Sequence, residues 1–317
     1  MTKKSNTKDY QYLIIAGTTK AATSSLFSYL AGHPEVCPAN KKETRFFLDP
    51  DYPLPAKYRF EDGIDKYDLY YPQCTNKKIR LEASPEYLYS QNTPEKIKNS
   101  LSDVKFVFTL REPVSRLISW YKFAKQNNDI SLQTTFGEYV SLQLNCDGKN
   151  KRSQYLLALE QGRYSSYLLP YFTLFGYDKI HISFFEDLSN DPTSVIKEIC
   201  IFANIDPDFY DNYDFQVVNR TEHMKYPKVH KLYNTLRYTL RNYTHNKPLI
   251  HSVFRNLRPV TGRIYQYLYV RLSEKFSITS LTEKVLKEYY EKELFLREEL
   301  VRKKVPWRIN YNRSVKS

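Results

Sequence analysis

No apolar run in the sequence is longer than a strand, so no transmembrane helix is expected. The opening stretch, MTKKSNTKDYQY, has no apolar core, which argues against a signal peptide. The four cysteines, Cys37, Cys74, Cys146 and Cys200, are widely spaced and form no CxxC pair. That pattern predicts a reduced, cytoplasmic protein without a metal site. No internal repeat or low-complexity linker divides the chain. Glycine is scarce, eight in 317 residues.

Aromatic residues are not scarce. There are 29 Tyr and 18 Phe, and 41% of the chain is hydrophobic, enough to build a core and unlike a disordered chain. The formal charge is +13. Twelve Lys and Arg lie between Arg220 and Lys275 against two carboxylates, Glu222 and Glu274. This stretch reads either as a solvated basic surface or as a rim that attracts an anionic cofactor or acceptor. No nucleic-acid motif accompanies it, and its tyrosines follow helical spacing, so nucleic acid is not expected as a partner.

Strands and helices alternate along the chain. YLIIAGT (12–18), IRLEAS (79–84), KFVFTLRE (105–112) and KIHISFFEDL (179–188) read as strands. Helices are expected at about 22–32, from TPEKIKNSL, from Pro113 to about Gln126, around 134–145, 153–161 and 164–175, and over DPTSVIKEICIFANI. The pattern predicts an α/β fold, a central parallel sheet with helices on both faces. The part from about 225 onward is expected to be helical and Tyr-rich. LTEKVLKEYYEKELFLREEL carries a strong amphipathic period. One domain over 11–308 is expected, with flexible tails at 1–10 and 309–317.

Two stretches carry chemistry. The first is IIAGTTKAATSSLFSYL, a strand, a loop and a helix start. Such a turn offers unpaired amides and the positive end of a helix to phosphate or sulfate. Lys20 adds a cation, and Thr23, Ser24 and Ser25 add hydroxyls, although the same residues also make an ordinary helix cap. The GxxxxGK[ST] pattern of nucleotide hydrolases is absent: Gly17 precedes Lys20 by three residues, and the hydroxyls follow. No strand clearly ends in an aspartate for Mg²⁺. The second stretch is FVFTLREPVSRLISWYKF. Arg111 leaves the carboxyl end of a buried strand, where open α/β sheets bind ligands. Ser119 shares a helix face with Ser115 and Arg116. An arginine fork and a hydroxyl suit a second phosphate. Alternatively, Arg111 pairs with Glu112 or another acid.

Taken together and in this order, these stretches resemble the sulfotransferases that use 3′-phosphoadenosine 5′-phosphosulfate (PAPS). AGTTKAATSSL is similar to their 5′-phosphosulfate loop, and LREPVSRLISWYKF to their 3′-phosphate motif. HPEV followed by KKETRFF resembles the heparan sulfate or glycosaminoglycan-type branch. EASPEYL, the stretch GRYSSYLLPYFTLFGYDKIHISFFEDLSNDP, and the ending with Trp307 also match. The resemblance covers roughly residues 11–308 and implies a P-loop-like sulfotransferase fold.

The resemblance also implies roles. Lys20 and the amides of Ala21, Ala22, Thr23, Ser24 and Ser25 would hold the 5′-phosphosulfate, with Arg111 and Ser119 on the 3′-phosphate. Glu43 would be the general base and Lys42 its neighbour in the catalytic set. Glu82 and Tyr87 would line the acceptor cleft, or Glu82 would hold Lys42. His33 and His181 read as structural, and Glu186 and Asp187 as a cap for the next helix. The reaction would yield adenosine 3′,5′-bisphosphate (PAP) without metal. The acceptor would be a carbohydrate or a small molecule, through a hydroxyl or an amine. The family has glycine where Ala22 stands, so the loop either keeps ordinary backbone angles or is strained. The alternatives are a metal-dependent P-loop phosphotransferase (a kinase) and a sulfotransferase-like binding protein without activity. No oligomer interface can be read.

Overall fold

The computed structural model describes residues 10–72, 74, 76–127, 129–131, 133–145, 156–216, 223–224, 270–271 and 278–307. The expected tails, except Tyr10, and most of the basic stretch lie outside these residues.

Five parallel strands form one sheet in the order β2-β3-β1-β4-β5: β1 Gln11–Gly17, β2 Val36–Pro38, β3 Ile79–Ala83, β4 Asp103–Leu110 and β5 Ile180–Phe184. Parallel pairing requires crossovers, and helices supply them. They are α1 Thr23–Ala31, α2 Asp65–Asp68, α3 Thr93–Ser100, α4 Pro113–Asn127, α5 Phe136–Leu144, α6 Tyr164–Phe175, α7 Phe185–Asn190 and α8 Pro192–Ala203. A further helix, α9, spans Ser280–Val301, as its amphipathic period predicts. A short antiparallel pair joins β6 His223–Met224 to β7 Val270–Arg271.

Alternation along β1 sorts its side chains onto two faces. Tyr12, Ile14 and Ala16 pack with Phe106 and Phe108 of β4 against Leu168, Tyr171 and Phe175 of α6. Leu13 and Ile15 face the other way, against Leu26 and Leu30 of α1 and Ile196, Ile199 and Cys200 of α8. The expected two-sided sheet is therefore present. A third cluster joins α4, α5 and α9 through Leu117, Trp120, Tyr139, Leu286 and Tyr290. Each large side chain so buried contributes about 1.5–3 kcal/mol.

Three expectations change. First, residues 156–162 form no helix of the expected length; Glu160–Gly162 is a single 3-10 turn. Side chains occupy the backbone there: Arg116 donates to the Ala158 carbonyl, the Leu159 N–H donates to Gln143, and Tyr290 donates to the Leu159 carbonyl. Second, β5 ends at Phe184 and α7 begins at once. The Glu186 carboxylate accepts from the Glu112 N–H (3.0 Å) and from Trp307 Nε1 (2.7 Å), which fixes the turn. Third, β2 is too short to give a period; it gains its place by pairing with β3.

The cysteines also depart from expectation. Cys37, in β2, is joined by a disulfide to Cys74, with Cα atoms 5.5 Å apart. Cys200 is buried and free. A disulfide is at odds with a reduced protein, so cysteine spacing no longer supports a cytoplasmic location. The bond ties the sheet edge to the segment after α2, next to the Asn40 N–H bond to the Tyr70 carbonyl (2.8 Å). Among the described residues, no helix is long and apolar enough to cross a membrane.

The cross-link spans a sequence separation of 37. Replacing Cys37 and Cys74 together by serine should lower the unfolding free energy by about 2–4 kcal/mol, measured by urea unfolding. An unchanged midpoint would mean that the bond does not constrain the unfolded chain.

Candidate functional site

The carboxyl ends of the three central strands, β3, β1 and β4, lie side by side, and one of the expected groups stands at each. Glu43 is fastened to the end of β3 by its N–H bond to the Ala83 carbonyl (2.8 Å). Lys20 follows β1. Arg111 follows β4 and donates from Nη1 to the Lys20 carbonyl (3.0 Å).

The loop after β1 is held from behind. Gly17 fits because an added Cβ would stand 3.0 Å from Leu88 Cδ2 and 3.1 Å from Phe108 Cδ1. The Thr18 N–H bonds the Thr109 carbonyl at 2.7 Å, and its hydroxyl bonds Tyr89. Arg116, a fully buried cation, donates from Nε to the Thr19 carbonyl (3.0 Å) and from Nη2 to Thr19 Oγ1 and Gln161 Oε1 (both 3.1 Å). The sequence pattern placed Arg116 with Ser115 and Ser119 as one face. In the fold Arg116 braces the loop, and Ser119 is buried beside it on α4.

Ala22, at the N-cap of α1, has φ 59°, and Lys20 has φ 67°. Of the two options left by the sequence, the loop takes the left-handed one. An alanine there costs about 1 kcal/mol or more relative to ordinary angles. No side chain caps α1. The N-terminus of such a helix suits an anion. Ala21, Thr23 and Ser25 are buried, while Ala22 and Ser24 are partly exposed. The side chain of Lys20 rests on α4, its Nζ 3.2 Å from the centre of the Phe123 ring and 5.3 Å from that of Trp120. Burial, then the charges of Arg116 and Arg111, pull this ammonium down to about 7, with Glu43 opposing.

Arg111 does not pair with Glu112. The Glu112 carboxylate turns to cap α4, accepting from the N–H groups of Val114 (2.9 Å) and Ser115 (2.6 Å). The Arg111 guanidinium lies 4.1 Å from the centre of the Phe185 ring. Its Nε is buried with no hydrogen-bond partner among the described residues. Burial lowers its proton affinity, with Glu186 opposing. A buried guanidinium with an unused donor is suited to a multiply charged oxyanion.

Glu43 has φ 61° and sits between two cations. Oε1 accepts from Lys42 Nζ and Oε2 from Arg45 Nη2, each at 2.7 Å. Burial pushes the carboxyl up, but Lys42 and Arg45 outweigh it and hold Glu43 below the ordinary glutamate value. Glu82 does not touch Lys42. It is fully buried and accepts from Ser84 (2.8 Å), Tyr87 (2.7 Å), Tyr67 (2.5 Å) and Thr44. Glu82 and Tyr87 are thus supports under the Glu43 segment and not a cleft lining. His33 is structural: Nε2 donates to the Asp206 carbonyl, and Nδ1 accepts from the Glu35 N–H. His181, on β5, packs against Phe202, and burial pulls it down to about 4.

Two residues of the site were not singled out from the sequence. Arg45 bridges Glu43 and Glu86, lying 3.7 Å from the latter. Glu86 is 5% exposed. Burial, then the charge of Glu43, pushes it up to about 7. EASPEYL contains Glu86, but a glutamate at the start of a helical turn also reads as an ordinary first-turn acid.

Comparison with known proteins shows the family. The family model of the sulfotransferase domain matches residues 11–289. A membrane-associated sulfotransferase of Dictyostelium discoideum is 32% identical over 134 residues, 40% of this chain and 26% of that protein. The heparan sulfate glucosamine 3-O-sulfotransferase 5 of Mus musculus is 26% identical over 194 residues, 61% of this chain and 53% of that one. The chain thus spans about half or less of these curated relatives. A sulfotransferase structure from Alicyclobacillus acidocaldarius superposes with a TM-score of 0.66 at 19% identity, covering 93% of this chain and 97% of the other; that likeness concerns the fold. With the family model matching nearly from β1 to the middle of α9, the chain belongs to the sulfotransferase family.

Proposed function

We propose that the protein transfers a sulfuryl group from PAPS to a hydroxyl or amine of a carbohydrate or small-molecule acceptor. The observation that carries this is the meeting of Lys20, Arg111 and Glu43 at the ends of adjacent strands, with Arg111 Nε unsatisfied among the described residues. Lys20, the N–H groups at the start of α1 and Ser24 would hold the 5′-phosphosulfate. Arg111 and Ser119 would hold the 3′-phosphate. When bound, the donor supplies a sulfuryl group on a phosphate leaving group.

The chain's own residues do the rest. Glu43, kept ionised by Lys42 and Arg45, takes the proton from the acceptor as its oxygen or nitrogen bonds to sulfur. As the bond from sulfur to the leaving phosphate oxygen breaks, negative charge grows on that oxygen. Lys20 and the α1 amides offset it. Similarity to heparan sulfate enzymes favours a carbohydrate acceptor, and the basic stretch between Arg220 and Lys275 suits an anionic one. Most of that stretch lies outside the described residues.

Lys20 gives a test of donor binding. In the free protein its ammonium is largely neutral at pH 8, because its proton affinity is lowered to about 7. Beside a phosphate it is charged. Binding of PAP at pH 8 should therefore take up roughly one proton, read by calorimetry in buffers of different ionisation enthalpy. The affinity should tighten as the pH falls from 8 to 6. Lys20→Met should abolish the uptake. Uptake that survives this replacement would place the titrating group elsewhere.

Arg111 separates the two phosphates. A bidentate charged contact is worth about 1.5–3 kcal/mol, so the protein should prefer PAP over adenosine 5′-monophosphate by roughly tenfold or more. Arg111 also holds the Lys20 carbonyl, so Arg111→Ala should weaken both ligands, PAP the more. Equal weakening would reduce Arg111 to a loop support. For the chemistry, Glu43→Gln should lower turnover by ~10²–10⁴ while PAP binding stays within a few-fold. Normal turnover by Glu43→Gln would remove Glu43 as the base.

A further inference from the structure

Glu86 remains unused by that mechanism. It sits in the turn after β3, which spans Pro85–Tyr89, and it is 5% exposed. Its Oε1 lies 3.7 Å from Arg45 Nη2. Its Oε2 is buried with no hydrogen-bond partner among the described residues. A buried carboxylate with an unused oxygen is costly, because burial removes water and nothing replaces it. As a packing element alone it would be a poor choice.

The charges around it show what it does. Facing Glu86 from the segment before α2 are Lys42, Glu43 and Arg45; on its own turn stands Tyr89, whose buried phenol stays neutral. Arg45 Nη2 is shared: 2.7 Å to Glu43 and 3.7 Å to Glu86. Lys42 reaches Glu43 at 2.7 Å. With both carboxylates ionised, two cations face two anions. With Glu86 neutral, both cations act on Glu43 alone and make it a weak base.

We propose that Glu86 is a positioning residue for sulfuryl transfer: through Arg45 it sets how firmly Glu43 holds the proton taken from the acceptor. An ionised Glu86 draws Arg45 toward itself and adds a second negative charge near Glu43, which strengthens the base. When the acceptor proton reaches Glu43, Glu86 remains as the counterion of Arg45. The inference rests on the reading of Glu43 as the base.

The test is a ratio. Turnover of Glu86→Gln is divided by that of the wild type at saturating donor between pH 6 and pH 8. Titration of Lys20 is common to both proteins and cancels. Glu86 in the wild type gains its charge through about pH 7, and the glutamine does not. The ratio should therefore fall by roughly three- to tenfold as the pH rises. Glu86→Asp, which keeps the charge, should restore much of the lost turnover at pH 8. A ratio that is flat with pH, however low, would make Glu86 a packing residue and overturn the proposal. If Glu86→Gln does not fold, carbon-13 NMR of the glutamate carboxyls in the wild type decides. One carboxyl should titrate near 7 and vanish from that range in Glu86→Asp or move within it; no carboxyl near 7 overturns the proposal. The underlying reading fails separately: a fully active Glu43→Gln removes the base, whereas an inactive Glu43→Gln with a flat ratio removes only the role of Glu86.

Discussion

The hydrogen bonding of one buried carboxylate, Glu82, fixes the segment on which the site depends. Burial raises its proton affinity, and hydrogen bonds from Thr44, Tyr67, Tyr87 and Ser84 pull against that. Burial, and then the nearby Glu82 charge, holds the Tyr67 and Tyr87 phenols well above their ordinary value, so they remain donors. Such a network is stable only when all its members are satisfied. Its consequence is positional. Thr44 is locked onto the end of β3, the Arg45 N–H bonds Ser84 Oγ at 3.1 Å, and the Phe47 N–H bonds the Tyr87 hydroxyl at 3.2 Å. Residues 43–47 are therefore placed by groups of the EASPEYL stretch. Three of the donors share Oε1 and Tyr67 serves Oε2, so loss of the Tyr67 hydroxyl leaves a buried oxygen unpaired, at a cost of about 1–3 kcal/mol.

Arg116 does the same for the other half of the site with the opposite charge. It is fully buried, and its bonds to Thr19, Ala158 and Gln161 take donors in several directions. The loop after β1 is thus seated on α4 and on the turn before α6. The Lys20 carbonyl is then taken by Arg111. One carboxylate and one guanidinium, both buried and both hydrogen-bonded, hold the two segments of the candidate site at the ends of neighbouring strands. Neither needs to touch the reacting groups.

This explains what was legible in the sequence. β1, β3 and β4 were readable because nearly every residue in them is buried, which leaves an apolar signature. β2 was not, since three residues and a proline make no period. The expected helix at 153–161 failed in the described part because side chains from α4, α5 and α9 capture its backbone groups, and those contacts are remote in sequence. Lys20, Glu43 and Arg111 could be picked out because each stands in a recognisable local stretch. Their supports could not be. Arg116 reads like a surface residue of an amphipathic helix, and Glu82 like a member of a cleft. The disulfide between Cys37 and Cys74 joins residues brought together by β2 pairing and the segment after α2, and spacing alone gives no hint of that.

The backbone itself shows where the supports are spent. Seven described non-glycine residues have positive φ, and four of them are Lys20, Ala22, Glu43 and Arg45. For an L-residue each such conformation costs roughly 1–2 kcal/mol. All four lie in the two segments held by Arg116, Arg111 and Glu82. An unsupported loop would relax out of these angles and turn Glu43 away from Lys20. The buried ion and its hydrogen bonds keep the angles in place. That makes the alanine at position 22 intelligible: the loop does not depend on glycine's tolerance of a left-handed turn, because tertiary contacts on either side of it over-determine the path. Site geometry in this protein is therefore set less by local sequence preference than by two buried, hydrogen-bonded groups, Glu82 and Arg116.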